Sequence, residues 1–173
     1  KTVNCQLLTA ISKTMRNYQH KFQLHKPTIY LSAISLCLIL GIAHGLADAA
    51  AGFLLGSLPR TMSLEQASGL IILYNILGFG YQPLAGMLTD KFQRPRLAVL
   101  VGLFSLLLAL AIAQWHSQPA IILAGIGSAA FHVGGGALAL TATLDRTTGP
   151  GFFAAPGAIG LTLGIAWGLT GFQ

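Results

Sequence analysis

His44 and Asp48 stand four residues apart, and His132 follows 88 positions after His44, in stretches otherwise composed of apolar side chains and glycine. A four-residue step on a helix brings two side chains to the same face, so His44 and Asp48 would project together. An imidazole next to a carboxylate is the usual arrangement of a protonatable relay. The pair would serve either as a functional cavity site or as a buried pair that pins helix packing. His132 is open to the same two readings, since an isolated histidine in an apolar run is often just bonded to a backbone carbonyl. Tyr74 and Asn75 add hydrogen-bonding groups that would line a cavity or join helices. No nucleophile, base and oxyanion arrangement appears, which argues against an enzyme. Nothing has metal-ligand spacing, so no metal site is expected. Cys5 and Cys37 read as isolated thiols with no disulfide framework.

The elements that carry these residues are set by composition. Hydrophobic residues make up 54% of the 173 positions and charged residues 8%, with a mean hydropathy of +0.70, where soluble domains carry about 25% charged residues. A bilayer core about 30 Å thick needs about 20 apolar residues at a helical rise of 1.5 Å. Five stretches meet that need: residues 29–58, 67–88, 97–115, 120–144 and 152–172. The expected fold is all-α, a polytopic transmembrane bundle of about five helices over 28–173, with short connections that make neighbours antiparallel. His44 falls about 15 residues from the start of the first stretch and His132 about 12 from the start of the fourth, which, if the spans alternate, sets both near mid-depth.

A formal net charge of +6 could suggest nucleic acid, but the basic residues lie at the ends of apolar runs, so no nucleic-acid face is expected. Lys13, Arg16, Lys21, Lys26, Lys91, Arg94, Arg96 and Arg146 fall on one side of the bundle and Arg60 on the other. The positive-inside rule then places the amino terminus in the cytoplasm and the carboxyl terminus on the outer side of an integral, multi-pass protein. Segment 1–27 is expected to be a basic cytoplasmic tail. Leu7, Leu8, Ile11 and Met15 also give it the pattern of an interfacial helix on anionic lipid.

Asp48 is the one carboxylate well inside a stretch, and at mid-bilayer such a group costs about 2.5–3.5 kcal/mol on insertion scales. It must therefore face protein, water or a partner. Gly134, Gly135 and Gly136 in the fourth stretch and Gly157, Gly160, Gly164 and Gly168 in the fifth form small-residue surfaces suited to close helix packing, or to a hinge. Gly125-x-Gly127-x-x-Ala130, with Asp145 following, imitates a dinucleotide fingerprint. That motif needs a strand, a helix and a second strand, and here it lies inside an apolar span.

The connection after the second stretch reads Gly86-Met87-Leu88-Thr89-Asp90-Lys91-Phe92-Gln93-Arg94-Pro95-Arg96. It resembles the signature between the second and third helices of the major facilitator superfamily at Gly86, Asp90, Lys91 and Arg94, with Gln93 in place of a usual glycine. His44-Gly45-x-x-Asp48, Gln82-Pro83-Leu84-x-Gly86, and the run from Gly125 through Ser128 and Phe131 to His132 are similar to fosmidomycin-resistance efflux permeases. The resemblance implies two six-helix halves around a cavity, alternating access, and export of small molecules that is usually proton-coupled, with His44, Asp48 and His132 facing the cavity. The chain departs from the pattern where Val133-Gly134 replaces Pro-Glu and where Ile121 replaces an arginine of many proton-coupled relatives.

Two functions follow as expectations: the amino-terminal part of a secondary transporter, or a non-transporting accessory or assembly subunit built on a truncated transporter fold. No cofactor is expected, though ligation of a pigment by a mid-membrane histidine stays open. Five helices would leave the faces of His44, Asp48 and His132 and the glycine surfaces uncovered. The expected partners, besides the bilayer and a small-molecule substrate, are remaining transporter helices, a second copy or another membrane protein.

Overall fold

The computed structural model describes residues 27–144 and 146–171, with side chains from residue 32 onward. The expected interfacial helix within 1–27 and Asp145 of the imitated fingerprint lie outside the described residues. The chain divides into two units between Ser32 and Ala33, so the first residues of the helix Pro27–Thr61 belong to the first unit. The contacts and the site described below lie within the second, Ala33–Gln173.

Among the described residues the regular structure is helical: α1 Pro27–Thr61, α2 Leu64–Asn75, α3 Gln82–Phe92, α4 Pro95–Ile112, α5 Ser117–Ala142 and α6 Thr148–Thr170, with a π-helical turn at Ile76–Gly80 joining α2 to α3. They form five segments long and apolar enough to cross a membrane: Ser32–Thr61, Leu64–Phe92, Pro95–Ile112, Ser117–Ala142 and Thr148–Thr170. The all-α membrane bundle expected from composition is thus the observed architecture. Ser63 starts α2 with a capping box: its hydroxyl accepts from the Gln66 N–H, and the Gln66 side chain accepts from the Ser63 N–H. α3 ends at Gln93, which takes a left-handed conformation (φ 54°). Glycine adopts that conformation without a side-chain clash. Gln93 holds it while its Nε2 donates to the Asp90 carbonyl at 2.5 Å.

The π turn has a local cause. Pro83 in the first turn of α3 has no N–H to continue the ladder of the preceding helix. The Gly78 carbonyl left in this region accepts from Gln82 Nε2 at 2.9 Å. Gln82 and Pro83 together therefore shape the second span next to Tyr74.

α5 is the centre of the bundle and touches every other span. The Cys37 thiol of α1 donates to the Ala139 carbonyl, and the Tyr74 hydroxyl of α2 donates to Ser128. Gly127 lies against Gly102 and Ser105 of α4, and Gly135 against Phe153 of α6. Gly125 and Gly127 of the imitated fingerprint are thus close-packing positions, the first against Leu77 and the second against α4. The register of these contacts makes α5 antiparallel to α1 and α4 and parallel to the second span, as short connections require.

The first and fifth spans run parallel and meet along two glycine ridges. Gly41, Gly45, Gly52 and Gly56 of α1 abut the backbone at Phe152, Pro156, Leu161 and Ile165. In return, Gly160, Gly164 and Gly168 abut the backbone at Gly45, Ala49, Phe53 and Gly56. A methyl group on Gly160 would overlap the Gly45 carbonyl. Such close approach gains dispersion and Cα–H···O contacts, the forces left for helix association where lipid removes the hydrophobic drive. At the far end of this pair the Arg60 guanidinium donates to the Gly168 carbonyl at 3.3 Å, a cation at a helix carboxyl end.

These contacts correct the expectation of uncovered glycine faces. Gly134 packs on Pro95, Ala98 and Val99, and Gly157 through Gly168 pack on α1, so their neighbours come from within the five spans. A methyl group on Gly136 would meet the Phe153 ring at 3.8 Å, an ordinary contact.

Candidate functional site

His44 and Asp48 project from α1 and His132 from α5 into one cluster. His44 and Asp48 are buried, 5% and 9% exposed, so the expectation that five helices would leave their faces open to lipid is corrected. They are covered by each other and by α5 and α6. His44 Nε2 and His132 Nε2 are 2.8 Å apart. Asp48 Oδ2 lies 3.2 Å from His44 Nε2, and Oδ1 3.6 Å from His132 Nε2.

The protein fixes both imidazoles from behind. His44 Nδ1 donates to the Phe153 carbonyl at 2.8 Å. This carbonyl belongs to the turn of α6 before Pro156, which has no N–H to give to the Phe152 carbonyl four residues back. Gly41 covers the Phe152 carbonyl, and His44 takes the Phe153 carbonyl next to it. The His44 ring stacks on the Phe153 ring, centroids 4.5 Å apart and planes at 21°. Gly157 lies against its other atoms, where a methyl would meet the imidazole 2.5 Å away. Phe153 is itself seated on Gly135. Two glycines expected to serve helix packing thus make room for the His44 ring and for its stacking partner.

His132 Nδ1 lies 2.7 Å from the Ser128 carbonyl one turn back and 3.2 Å from the Ser128 hydroxyl oxygen. A carbonyl oxygen can only accept, so this Nδ1 carries the proton. The Tyr74 hydroxyl donates to Ser128 Oγ at 3.2 Å, which ties the second span to the back of the cluster.

These bonds settle what the front of the cluster presents. With both Nδ1 atoms donating to carbonyls, each neutral ring has its lone pair at Nε2. The two Nε2 atoms point at each other and at a carboxylate. Such an arrangement holds together only with a positive species among the three groups: one shared proton or a metal cation.

Of the sequence candidates, His44, Asp48 and His132 meet, and Tyr74 joins through Ser128. Asn75 does not: it is exposed, and its Nδ2 donates to the Ile71 carbonyl of its own helix. Gly86 lies in the middle of α3 beside Val133 of α5, whereas Asp90, Lys91 and Arg94 lie at the end of α3 and in the turn to α4, where they are exposed. Ser128 and the Phe153 carbonyl are site groups that the sequence reading did not single out. Ser128 has a signal in its place one helical turn before His132, whereas a backbone carbonyl leaves none. A separate hollow of about 270 Å³ lies between the carboxyl ends of α1 and α4 and the start of α5, among Phe53, Ser57, Thr61, Gln114 and Ile121. It shares no residue with the cluster.

Compared with known protein families, characterised proteins and solved structures, the chain matches none.

Proposed function

We propose that this chain is the amino-terminal part of a secondary transporter of the major facilitator type, moving a small solute or ion past His44, Asp48 and His132 by alternating access. One observation carries the reading. The cluster lies between the first and fourth spans, which line the central cavity in the resembling fold, and buries a carboxylate that a purely structural bundle would have reason to avoid. The left-handed turn at Gln93, where the resembling loop has a glycine, adds support from a second place in the chain. Charge distribution supports a cytoplasmic amino terminus. The coupling ion is one that two imidazoles and a carboxylate can hold.

Cells expressing the chain together with the helices that complete it should survive at least one member of a panel of toxic small solutes, fosmidomycin included, better than cells carrying Asp48→Asn. Equal survival across the panel, with both forms present in the membrane, rejects the reading.

A second reading, the accessory or assembly subunit, is favoured by a different observation: among the described residues no buried side-chain nitrogen or oxygen lacks a hydrogen-bond partner. Polar satisfaction therefore does not require further helices. Native mass of the membrane complex separates the two, since a transporter would carry about seven more helices of its own kind and an accessory subunit an unrelated protein.

A further inference from the structure

We propose that His44 Nε2, His132 Nε2 and a carboxylate oxygen of Asp48 form a binding site for a divalent transition-metal ion of the zinc and cobalt class. The inference names the ion for the cluster described above. It rests on the reading of that cluster as a cation site and not on transport, and equilibrium binding tests it separately.

The donor set comes first. The three side chains each offer one ligand atom, and these atoms lie within 4.8 Å of one another. Two imidazoles and one carboxylate suit zinc, cobalt or nickel, whereas magnesium and calcium favour sites made wholly of oxygen. Ligand atoms about 2.0–2.1 Å from a tetrahedral ion sit roughly 3.3 Å apart. The His44 Nε2 to His132 Nε2 and His44 Nε2 to Asp48 Oδ2 separations, 2.8 and 3.2 Å, lie near that figure, while His132 Nε2 faces the other carboxylate oxygen, Oδ1, at 3.6 Å, so a turn of the carboxylate would bring one oxygen to both rings. Binding would spread the imidazole pair by about 0.5 Å and draw Asp48 toward His132.

The support behind the donors matters as much. A metal-bound histidine nearly always gives its other N–H to a carbonyl or carboxylate, which fixes the tautomer and aims the lone pair at the ion. Both histidines do so here, His44 to Phe153 and His132 to Ser128. The His44 ring is further held by the Phe153 ring and by the space at Gly157. Lone pairs are therefore oriented toward one point before any ion arrives. His132 is the most exposed of the three, its side chain 17% accessible against 6% for His44 and 12% for Asp48. A fourth coordination position would open on the His132 side, where water or a solute group could complete the shell, as in sites that exchange their ligand.

The test uses the purified chain in lipid nanodiscs titrated with Co2+ and read by visible absorption. The expected result is one Co2+ per chain with the intense spectrum of a four-coordinate nitrogen and oxygen set, displaced by Zn2+ and not by Mg2+. Asp48→Asn and His132→Ala should each weaken binding by more than about 100-fold, the upper end of what loss of a supporting group alone costs. His116→Ala, outside the cluster, should leave it unchanged. A wild-type spectrum of the weak six-coordinate kind, or equal affinity in the cluster variants and the wild type, overturns the site. Should a variant fail to fold, the wild-type spectrum and protection of His132 from diethylpyrocarbonate by Zn2+ decide the matter. Absence of saturable Co2+ binding leaves a cluster that holds a proton alone and overturns the metal site while leaving transport standing. Binding without solute protection in cells sinks transport and leaves the site.

Discussion

The Nε2 atoms of His44 and His132 lie 2.8 Å apart although 88 residues separate them in the chain. Their rings meet edge to face, centroids 4.5 Å apart at 89°, because each is turned by its own backbone carbonyl and not by the other ring. Removing one histidine leaves the other facing Asp48 without its neighbour, so the two effects on stability cannot be independent. A double-mutant cycle with His44→Ala and His132→Ala, read by thermal unfolding in detergent, should give a coupling of about 0.5–3 kcal/mol. Additive losses would mean that the short contact contributes nothing.

Tyr74 and Asn75 are neighbours in sequence and differ in role. Tyr74 is buried and donates to Ser128, while Asn75 is exposed and bonds within its own helix. Tyr74→Phe should cost about 1 kcal/mol for the lost buried hydrogen bond. Asn75→Ala should stay within about 0.5 kcal/mol of the wild type. The opposite order of effects in thermal unfolding would place the wrong face of α2 against α5.

That contrast shows what was legible in the sequence and what was not. The spans follow from apolar length, which is a one-dimensional property, and the shared depth of His44 and His132 follows from counting residues along them. Rotation of a helix about its axis is different: adjacent residues diverge by about 100° at 3.6 residues per turn, so Tyr74 and Asn75 look alike until a neighbour chooses the face. The partner of the Gly157 to Gly168 surface was equally hidden. Gly41 with Gly45 and Gly52 with Gly56 carry the four-residue spacing of a packing ridge, but pairing two ridges more than 100 residues apart needs the three-dimensional register. Gln82-Pro83 was visible as a motif, whereas its work in satisfying the Gly78 carbonyl was not. That His44, Asp48 and His132 face one cavity was expected from the resemblance, whereas their direct contact was not legible, since two of the groups come from α1 and the third from α5.

Orientation across the bilayer is a separate matter from the bundle's internal register. Basic residues gather at the α3–α4 and α5–α6 turns, and Arg60 stands at the opposite end. Gln118 and Thr147 are exposed at opposite ends of α5. With cysteine introduced at each in turn, an impermeant thiol reagent applied to intact cells should label position 118 and not position 147, above the level of the unsubstituted chain. Labelling of 147 alone would invert the topology.

The parallel contact of α1 and α6 predicts the sharpest difference between glycines. At Gly160 an added methyl would overlap the Gly45 carbonyl, and both atoms belong to backbone, which cannot rotate away as a side chain can. Gly160→Ala must therefore push the two helices apart along the whole ridge, weakening contacts at Gly164 and Gly168 as well. Overpacking of this kind costs about 1–3 kcal/mol. Gly69 in α2 is the control, since nothing lies within 4 Å of the position its Cβ would take. There alanine gains helix propensity without a clash, and Gly69→Ala should be neutral or stabilising by up to about 1 kcal/mol. The two variants should move the midpoint of thermal unfolding in opposite directions, or Gly160→Ala alone should lower it. Because His44 is seated against Gly157, one turn before Gly160 on the same face, spreading the helices should also weaken Co2+ binding to the cluster. An unchanged midpoint and unchanged Co2+ affinity in Gly160→Ala would show that α1 and α6 do not approach as closely as described.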